Sequence, residues 1–266
     1  MENIWGPILK NSESDTKEMI KAYHSVDVNL KDIRGCTLLH RCCQEGHATI
    51  ILVLLSHPDI DVNQRDHYGY TPFMWACNNG KSPCARMLLK DPRVSVTQAN
   101  VWGYTPLQRA SLLGSLDFIK FWIASGREMD LGQPEEPESD AIQAAEKMEP
   151  WHGGEQRKRK SDIATLLKDF REDPEPVRSV VRQEVAWFDE LAADFFALVI
   201  FVSEGLLQVS PGHQTTTPAA RFLKISCQLP LELQMVLCFR LMGSGKDLIA
   251  GKHTEVAFKE LGQRCY

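Results

Sequence analysis

The chain has 266 residues, of which 43% are hydrophobic and 24% charged, so it is long enough and apolar enough to bury a substantial core. Its 30 Lys and Arg residues are outnumbered by 35 Asp and Glu residues, which gives a formal net charge of -5. This balance lacks the electropositive field typical of nucleic-acid-binding proteins, so we expect no nucleic-acid partner.

The N-terminal residues and the apolar runs bear on where the protein resides. The opening sequence MENIWGP has neither the basic stretch nor the apolar run of a secretory signal. The longest apolar run, residues 195–202, is far shorter than the roughly 20 residues that a membrane-spanning helix needs. We therefore expect a soluble cytoplasmic protein that does not associate with a membrane.

Three similar segments recur along the first half of the chain with a spacing of 34 residues. They begin at Gly35, Gly69 and Gly103 and have the sequences GCTLLH, GYTPFM and GYTPLQ. A second set of glycines has the same spacing: Gly46, Gly80 and Gly114. Two independent markers in phase indicate an internal repeat.

Each repeat predicts a tight turn followed by two short helices. The first glycine allows the positive φ of the turn, the following Thr can cap a helix, and Pro72 and Pro106 suit a first helical turn. The second glycine ends the first helix, and an apolar second helix follows, as at residues 50–55. Helices this short are marginal alone, but stacked repeats can share one continuous core.

The repeat resembles that of the ankyrin family, whose motif is G-x-T-P-L-H-x-A-A-x-x-G-H with D-V-N in the connector. Thr37, Leu39 and His40 match the motif, and residues 61–63 match the connector. The resemblance implies an all-α ankyrin-repeat solenoid of helix-turn-helix repeats. The predicted segments are an N-terminal capping repeat at 1–30, repeats at 31–64, 65–98 and 99–132, a degenerate fourth repeat at 133–173, and an α-helical C-terminal extension at 174–266.

One group of cysteines and histidines could in principle bind zinc. It consists of Cys36, His40, Cys42, Cys43 and His47, and the chain has no C-x-x-C pair. The family resemblance instead assigns Cys42, Cys43 and Cys77 to small buried side chains and the two histidines to hydrogen bonds at turns. We therefore expect free thiols, no metal and no cofactor.

The degenerate fourth repeat contains a polar, glycine-rich insertion, which predicts an unpacked loop at 149–160. Its basic run consists of Arg157, Lys158, Arg159 and Lys160. The run has two interpretations, a nuclear-import address or a solvated loop, so the nucleus stays open as a second location. The first residues of this repeat, 133–138, form an acidic connector that predicts a projecting loop.

Beyond Asp173 the 34-residue period is lost, although helical periodicity continues. Residues 177–207 predict one long helix or two shorter ones, and the apolar run at 195–202 must be covered because it is apolar on every side. Further helices are predicted at 218–227, 230–242 and 253–262. Together these helices are expected to form an α-helical C-terminal cap that seals the repeat array.

Two motifs of the C-terminal third suggest other functions. The sequence LPLEL at 229–233 resembles the opening of an F-box, which leaves open a substrate-recruiting adaptor of a ubiquitin ligase that uses the C-terminal helices. A proline at a helix start explains the same letters. The GSGK and GKHT sequences at 243–246 and 251–254 lack the spacing of a phosphate-binding loop, and no catalytic set is visible, so we expect no enzyme.

The ankyrin resemblance implies that a partner protein binds the concave face formed by turn tips and first helices. The residues that align with this face are Arg34, Arg41, His67, Tyr68, Tyr70, Trp75, Asn78, Trp102, Tyr104, Arg109 and Leu112. Tyr, Trp and Arg are enriched at binding hot spots, which favours the second and third repeats. The alternative is that the aromatic residues pack between turns or against the acidic connector. We expect a monomeric, non-enzymatic interaction scaffold.

Overall fold

The computed structural model describes residues 27–133, 140–147, 153–203 and 234–238, which contain helices and turns but no strand. The chain divides into two compact units, residues 1–181 and 182–266. Within the described ranges no helix is long and apolar enough to cross a membrane. Most of the predicted N-terminal capping repeat, up to residue 26, lies outside the described residues.

The first unit is a stack of helical pairs that follow one another in chain order. The first helices of the pairs are α1 (Leu38–Glu45), α3 (Pro72–Asn78), α5 (Pro106–Leu113) and α7 (Ala141–Glu146). The second helices are α2 (Ala48–Leu55), α4 (Ser82–Lys90), α6 (Leu116–Ser125) and α8 (Gly154–Glu172). Each first helix packs against the next, and α2, α4 and α6 do the same in a second row. This stacking confirms the predicted all-α solenoid.

Local sequence fixes where the first helices begin and end. The Thr71 hydroxyl accepts a hydrogen bond from the Met74 N–H at 3.2 Å, and Thr105 caps α5 in the same way. At the other end of α1 and α5, Gly46 and Gly114 have left-handed φ values of 96° and 74°. The caps and turns therefore lie where the two repeated markers predict them.

Aromatic packing joins the second and third repeats. The Phe73 ring meets the Trp122 ring edge-on at 5.1 Å between centroids, and the Phe118 ring lies 5.6 Å from Trp122. All three side chains are buried, and the Trp122 Nε1–H donates to the Glu128 carbonyl oxygen at 3.1 Å. Such ring pairs add about 0.5–1.5 kcal/mol each beyond the burial of their area.

An asparagine in each of two connectors joins one repeat to the next. Asn29 donates through Nδ2 to the Asp59 carbonyl oxygen at 2.7 Å and accepts the Asp61 N–H at 2.8 Å. Asn63 makes the same pair of bonds to the following connector, at 2.8 and 2.7 Å. The asparagine of the connector motif is therefore a structural clamp that satisfies backbone groups of its neighbour.

The structure corrects the loop predicted at 149–160, because residues 154–160 form the first turns of α8. Glu155 and Arg159 are paired across one helical turn at 2.6 Å, and the Nζ of Lys160 donates to the Lys147 carbonyl oxygen at 2.6 Å. The prediction is wrong there because the charged residues of this run are strong helix formers, and their polarity alone suggested a loop. Residues 148–152 lie outside the described residues.

The boundary between the two units falls at Val181, inside α9 (Pro174–Glu184), whereas the sequence placed it before Pro174. A second helix, α10 (Trp187–Ser203), follows Ala186, whose φ is 52°. The segment predicted as one helix or two is therefore two helices. In the second unit the buried cluster consists of Ala192, Ala193, Phe196, Ala197, Val199 and Cys238.

Replacing Gly35 by Ala is expected to destabilise the repeat unit more than Gly103→Ala does. Both glycines have a left-handed backbone, with φ of +77° and +80°, so each alanine costs about 1–2 kcal/mol in strain. A Cβ at Gly35 would also lie 2.7 Å from Cδ2 and 3.1 Å from the backbone nitrogen of His67, whereas one at Gly103 meets no heavy atom within 4 Å. Urea denaturation followed by circular dichroism measures both losses. Equal losses would contradict tight packing between adjacent turn tips.

Candidate functional site

The turn tips of the three repeats are joined to one another by backbone hydrogen bonds. The His67 N–H donates to the Arg34 carbonyl oxygen at 3.1 Å, and the Val101 N–H donates to the Tyr68 carbonyl oxygen at 3.1 Å. The tips therefore form a continuous hydrogen-bonded ladder rather than three independent loops. Side chains on adjacent tips are consequently held in a fixed relation to each other.

One buried carboxylate organises the second tip. Asp66 accepts the N–H groups of Tyr68 and Tyr70 through Oδ1, at 2.9 and 2.8 Å. Its Oδ2 accepts the Trp75 Nε1–H at 3.0 Å. Asp66 is only 6% exposed, so this single side chain fixes the backbone of the tip and the first-helix tryptophan together.

The same arrangement recurs at Asp32 and Asn100, which lie 34 residues to either side of Asp66. Asn100 accepts the N–H groups of Trp102 and Tyr104 through Oδ1, both at 3.0 Å. Asp32 accepts the N–H groups two and four residues after it, at 2.8 and 2.9 Å. Sequence reasoning missed these three residues, although the Asp/Asp/Asn series is in phase with the repeated glycines.

Arg41, one of the predicted partner-binding residues, is engaged within its own repeat. Its guanidinium pairs with the Asp32 carboxylate, and Nη1 donates to the Gln44 Oε1 at 2.9 Å. Burial raises the pKa of the Asp32 carboxyl, but hydrogen bonds from Arg41 and from two backbone N–H groups outweigh burial and lower the pKa below 3.8. Since the Arg41 side chain is only 14% exposed, it acts in this structure as a support for the first tip.

Of the five predicted aromatic residues on the tips and α3, Tyr68 and Trp102 face solvent, whereas Tyr104 is half-buried. The rings of Tyr68 and Trp102, hereafter the tip aromatic pair, stack at 5.6 Å with 19° between their planes. They are 51% and 57% exposed. Tyr70 is buried beneath them, with its ring 5.2 Å from Trp75 and 6.3 Å from Trp102. Tyr70 and half-buried Trp75 therefore support the pair rather than present a surface of their own.

A groove lies between α5 and α7, beside the third tip. Its volume is about 490 Å³, and it is called the α5–α7 groove below. The Cζ atom of Arg109 lies 4.3 Å from the centroid of the Tyr104 ring, and Nη2 is 3.4 Å from the Tyr70 Oη. The lining residues are Tyr104, Gln108, Arg109, Leu112, Gln143, Ala144 and Lys147. The sequence predicted the α5 side of this groove and missed the α7 side, because the fourth repeat is degenerate.

The remaining predicted residues lie at separate places. Arg34 and His67 are exposed at the tips, and Asn78 is half-buried on α3. Of the basic run, Arg157, Lys158 and Arg159 are exposed on α8, and Lys160 is buried. The run therefore lies on a helix with three of its four residues exposed, and the nuclear-import interpretation stays a prediction.

Of the residues that were weighed as zinc ligands, His40 and the three cysteines are buried inside the first repeat, and His47 is half-buried where α2 begins. Nδ1 of His40 accepts the Thr37 N–H at 3.0 Å, so Nε2 carries the proton and donates to the Tyr70 carbonyl oxygen at 3.1 Å. The hydrogen bonds at turns that the family resemblance implied for His40 are confirmed. Burial lowers the pKa of His40 to about 4, so the ring is neutral.

The cysteines of the described residues are buried free thiols. Cys42, Cys43 and Cys77 pack in the core as expected, and burial raises the pKa of the Cys36 thiol to about 11. In the described part of the chain, no three His, Cys, Asp or Glu side chains are grouped so that they could hold a metal ion.

Comparison with known protein families agrees with this architecture. A family model for ankyrin repeats, in three copies, matches residues 9–100 and 67–133. No curated protein matches the sequence. The matched residues end at 133, so the helical pair α7 and α8 is defined by the structure alone.

Asp66→Ala is expected to destabilise the second repeat by about 3 kcal/mol, since it leaves two backbone N–H groups and the Trp75 indole N–H without their buried acceptor. Asp66→Asn is the matched control, because Asn100 shows that an amide oxygen can make both backbone bonds. We expect the Asn variant to lose about 1 kcal/mol. Chemical denaturation measures both, and an Asn variant as unstable as the Ala variant would contradict the role of the shared acceptor oxygen.

His40 is expected to make stability depend on pH between 6.5 and about 4. The unfolded chain binds a proton on His40 below pH 6.5, whereas the folded chain binds it only near pH 4, so this contribution is complete above 6.5 and disappears as the pH falls. The difference corresponds to roughly 3 kcal/mol.

The free energy of unfolding, measured across this pH range, should fall less in His40→Gln than in the wild type. Glutamine occupies the equivalent place in the third repeat, at Gln108, and His67→Gln at an exposed tip controls for the loss of a histidine. If His40→Gln keeps the full wild-type fall, His40 is not the group responsible.

Proposed function

From its membership of the ankyrin-repeat family, shown by the match over residues 9–133, we propose that the chain is a non-enzymatic scaffold that binds a partner protein. Ankyrin repeats are protein–protein interaction modules. The binding surface of the proposal consists of the turn tips and the first helices of the second and third repeats. It is the surface that the tip aromatic pair and the α5–α7 groove occupy.

The observation that carries the proposal is the exposure of the tip aromatic pair. Tyr68 and Trp102 are each more than half exposed, and their stacked rings form one apolar surface across two repeats. Large aromatic side chains that remain in water gain nothing from folding, and clusters of them mark interaction sites. They also bury much area on binding while keeping a polar group that can hydrogen-bond.

The tips are also rigid enough to bind without a large loss of entropy. Asp66 and Asn100 fix the backbone on which Tyr68 and Trp102 lie, and the Val101 N–H bond to the Tyr68 carbonyl joins the two tips. Binding to an ordered surface avoids the cost of immobilising loops. The alternative that the aromatic residues pack between turns applies to Tyr70 and Trp75, whose rings lie against each other.

The ubiquitin-ligase adaptor has no comparable support. Its F-box-like sequence, residues 229–233, lies outside the described residues. The family match ends at residue 133 and thus does not extend to the C-terminal helices on which the adaptor would depend. We therefore retain the scaffold as the function that the described surface favours.

The test compares proteins captured from native lysate by the wild type, by a Tyr68→Ala/Trp102→Ala variant and by a Val180→Ala variant. Val180 is the matched control, since it is 56% exposed on α9, away from the tips. We expect specific partners to bind the wild type and the control equally and to fall at least about tenfold in the double variant, as truncated hot-spot residues do. Quantitative mass spectrometry measures capture, and thermal unfolding verifies that all three fold equally. Undiminished capture by the double variant would refute the proposed surface.

A further inference from the structure

We infer that the α5–α7 groove binds a carboxylate side chain of the partner, while the tip aromatic pair binds an apolar side chain two or three residues away in the same extended segment. The inference rests on the proposed function, because it states the chemistry of the partner that this surface recognises. The partner segment is thus acidic and unphosphorylated, with its Asp or Glu at Arg109. Three features of the surface lead to it.

The first feature is the guanidinium of Arg109, which has no carboxylate partner in the described part of the chain. Its contacts are the Tyr104 ring at 4.3 Å and the Tyr70 hydroxyl at 3.4 Å, and its Nε is buried without a hydrogen bond. These aromatic contacts hold the side chain in place without neutralising its charge.

Other arginines of the array differ in this respect. Arg41 pairs with Asp32, and Arg171 pairs with Asp140 at 2.9 Å. An arginine that is already ordered but lacks an anion is suited to bind a carboxylate, since its planar N–H groups can donate two parallel hydrogen bonds. Because the neighbouring rings already fix the guanidinium, binding of the partner's carboxylate does not include the entropy cost of ordering this side chain.

The second feature is the polarity of the α5–α7 groove. None of the described residues that line it is acidic, and Arg109 and Lys147 are both basic, whereas the whole chain has a net charge of -5. A partly enclosed groove strengthens an ion pair relative to one in bulk water. The local charge therefore favours an anion although the chain as a whole is acidic.

The third feature is the short separation between the groove and the tip aromatic pair. Tyr70 connects them, since its hydroxyl contacts Arg109 and its ring lies 6.3 Å from the Trp102 ring. One tyrosine side chain thus spans the two subsites. An extended peptide advances about 3.3 Å per residue, so two or three residues cover this separation. An acidic residue and an apolar residue at that spacing would occupy both subsites.

The probes are unmodified random peptides displayed on phage and selected on the full chain. The best peptide is synthesised with a fluorescent label, and its affinity is measured by fluorescence anisotropy. We expect the selected peptides to share an Asp or Glu two or three residues from an aromatic or large aliphatic residue. Changing that Glu to Gln, or Asp to Asn, should weaken binding to the wild type about tenfold, which is the size expected for a charged hydrogen-bonded pair.

Protein variants then identify the residue that binds the carboxylate. Arg109→Gln should weaken the acidic peptide about tenfold and should bind the amide version of the peptide as well as the acidic one. Lys158→Gln is the matched control, because it removes an exposed positive charge on α8, outside the groove, and should change affinity less than twofold. The change within the peptide tests the contact in the unaltered protein, so the result does not depend on the stability of the Arg109 variant.

Several results would overturn the inference. The selected peptides could lack an acidic residue and bind the Arg109→Gln variant normally but the Tyr68→Ala/Trp102→Ala variant poorly. That result would leave the proposed function standing and refute the carboxylate site. A phosphoserine version that binds more than tenfold tighter than the Glu version would make phosphate the ligand instead. Acidic peptides that bind only after Glu135, Glu136 and Glu138 are changed to Gln would show that the chain's own connector fills the groove. Failure to select any peptide would count against both proposals.

Discussion

The surface formed by the turn tips depends on one recurring interaction. In it, a side-chain oxygen at the start of each tip accepts two backbone N–H groups of the same turn. Asp66 shows it most fully, because its second oxygen also accepts the Trp75 indole N–H at 3.0 Å. A tight turn exposes N–H groups that no helix or sheet satisfies, and a buried acceptor removes that cost. Once the turn is fixed, the positive φ of its glycine, the ladder to the next tip and the direction of the following aromatic residue are all determined.

The connectors use the same kind of interaction between repeats. Asn29 and Asn63 each bond two backbone groups of the next connector, so the polar clamps recur with the period of the apolar core. Hydrophobic burial supplies most of the stability but is not directional. The side-chain-to-backbone bonds fix the register of each repeat on the next, which is what keeps Tyr68 and Trp102 in stacking distance across two repeats.

The sequence predicts the features that depend on the period and on local chemistry. Glycines, threonine caps and apolar second helices repeat with one spacing, so the helical pairs followed directly, and the family resemblance supplied the hydrogen-bonding role of His40. Features that depend on neighbours in space were not predicted. The position of Arg41 in the motif predicts a partner-binding residue, but its side chain pairs with Asp32. Tyr70 was predicted in the same way and is buried because Trp75 and Trp102 pack on it. Composition misled at residues 154–160, where a charged run forms a helix rather than a loop.

Arg109 is the residue on which the proposed carboxylate site depends. Most ordered arginines in the array neutralise a carboxylate or donate to carbonyl groups, as Arg127 does with the Asp91 carbonyl oxygen at 2.9 Å. Within the described residues the Arg109 guanidinium contacts aromatic side chains and no carboxylate, so its charge is partly desolvated there without an anion, which is unfavourable for the isolated fold. A partner that supplied the anion would offset this desolvation cost on binding. The same reasoning applies to Tyr68 and Trp102, whose exposed rings recover hydrophobic free energy only when another surface covers them.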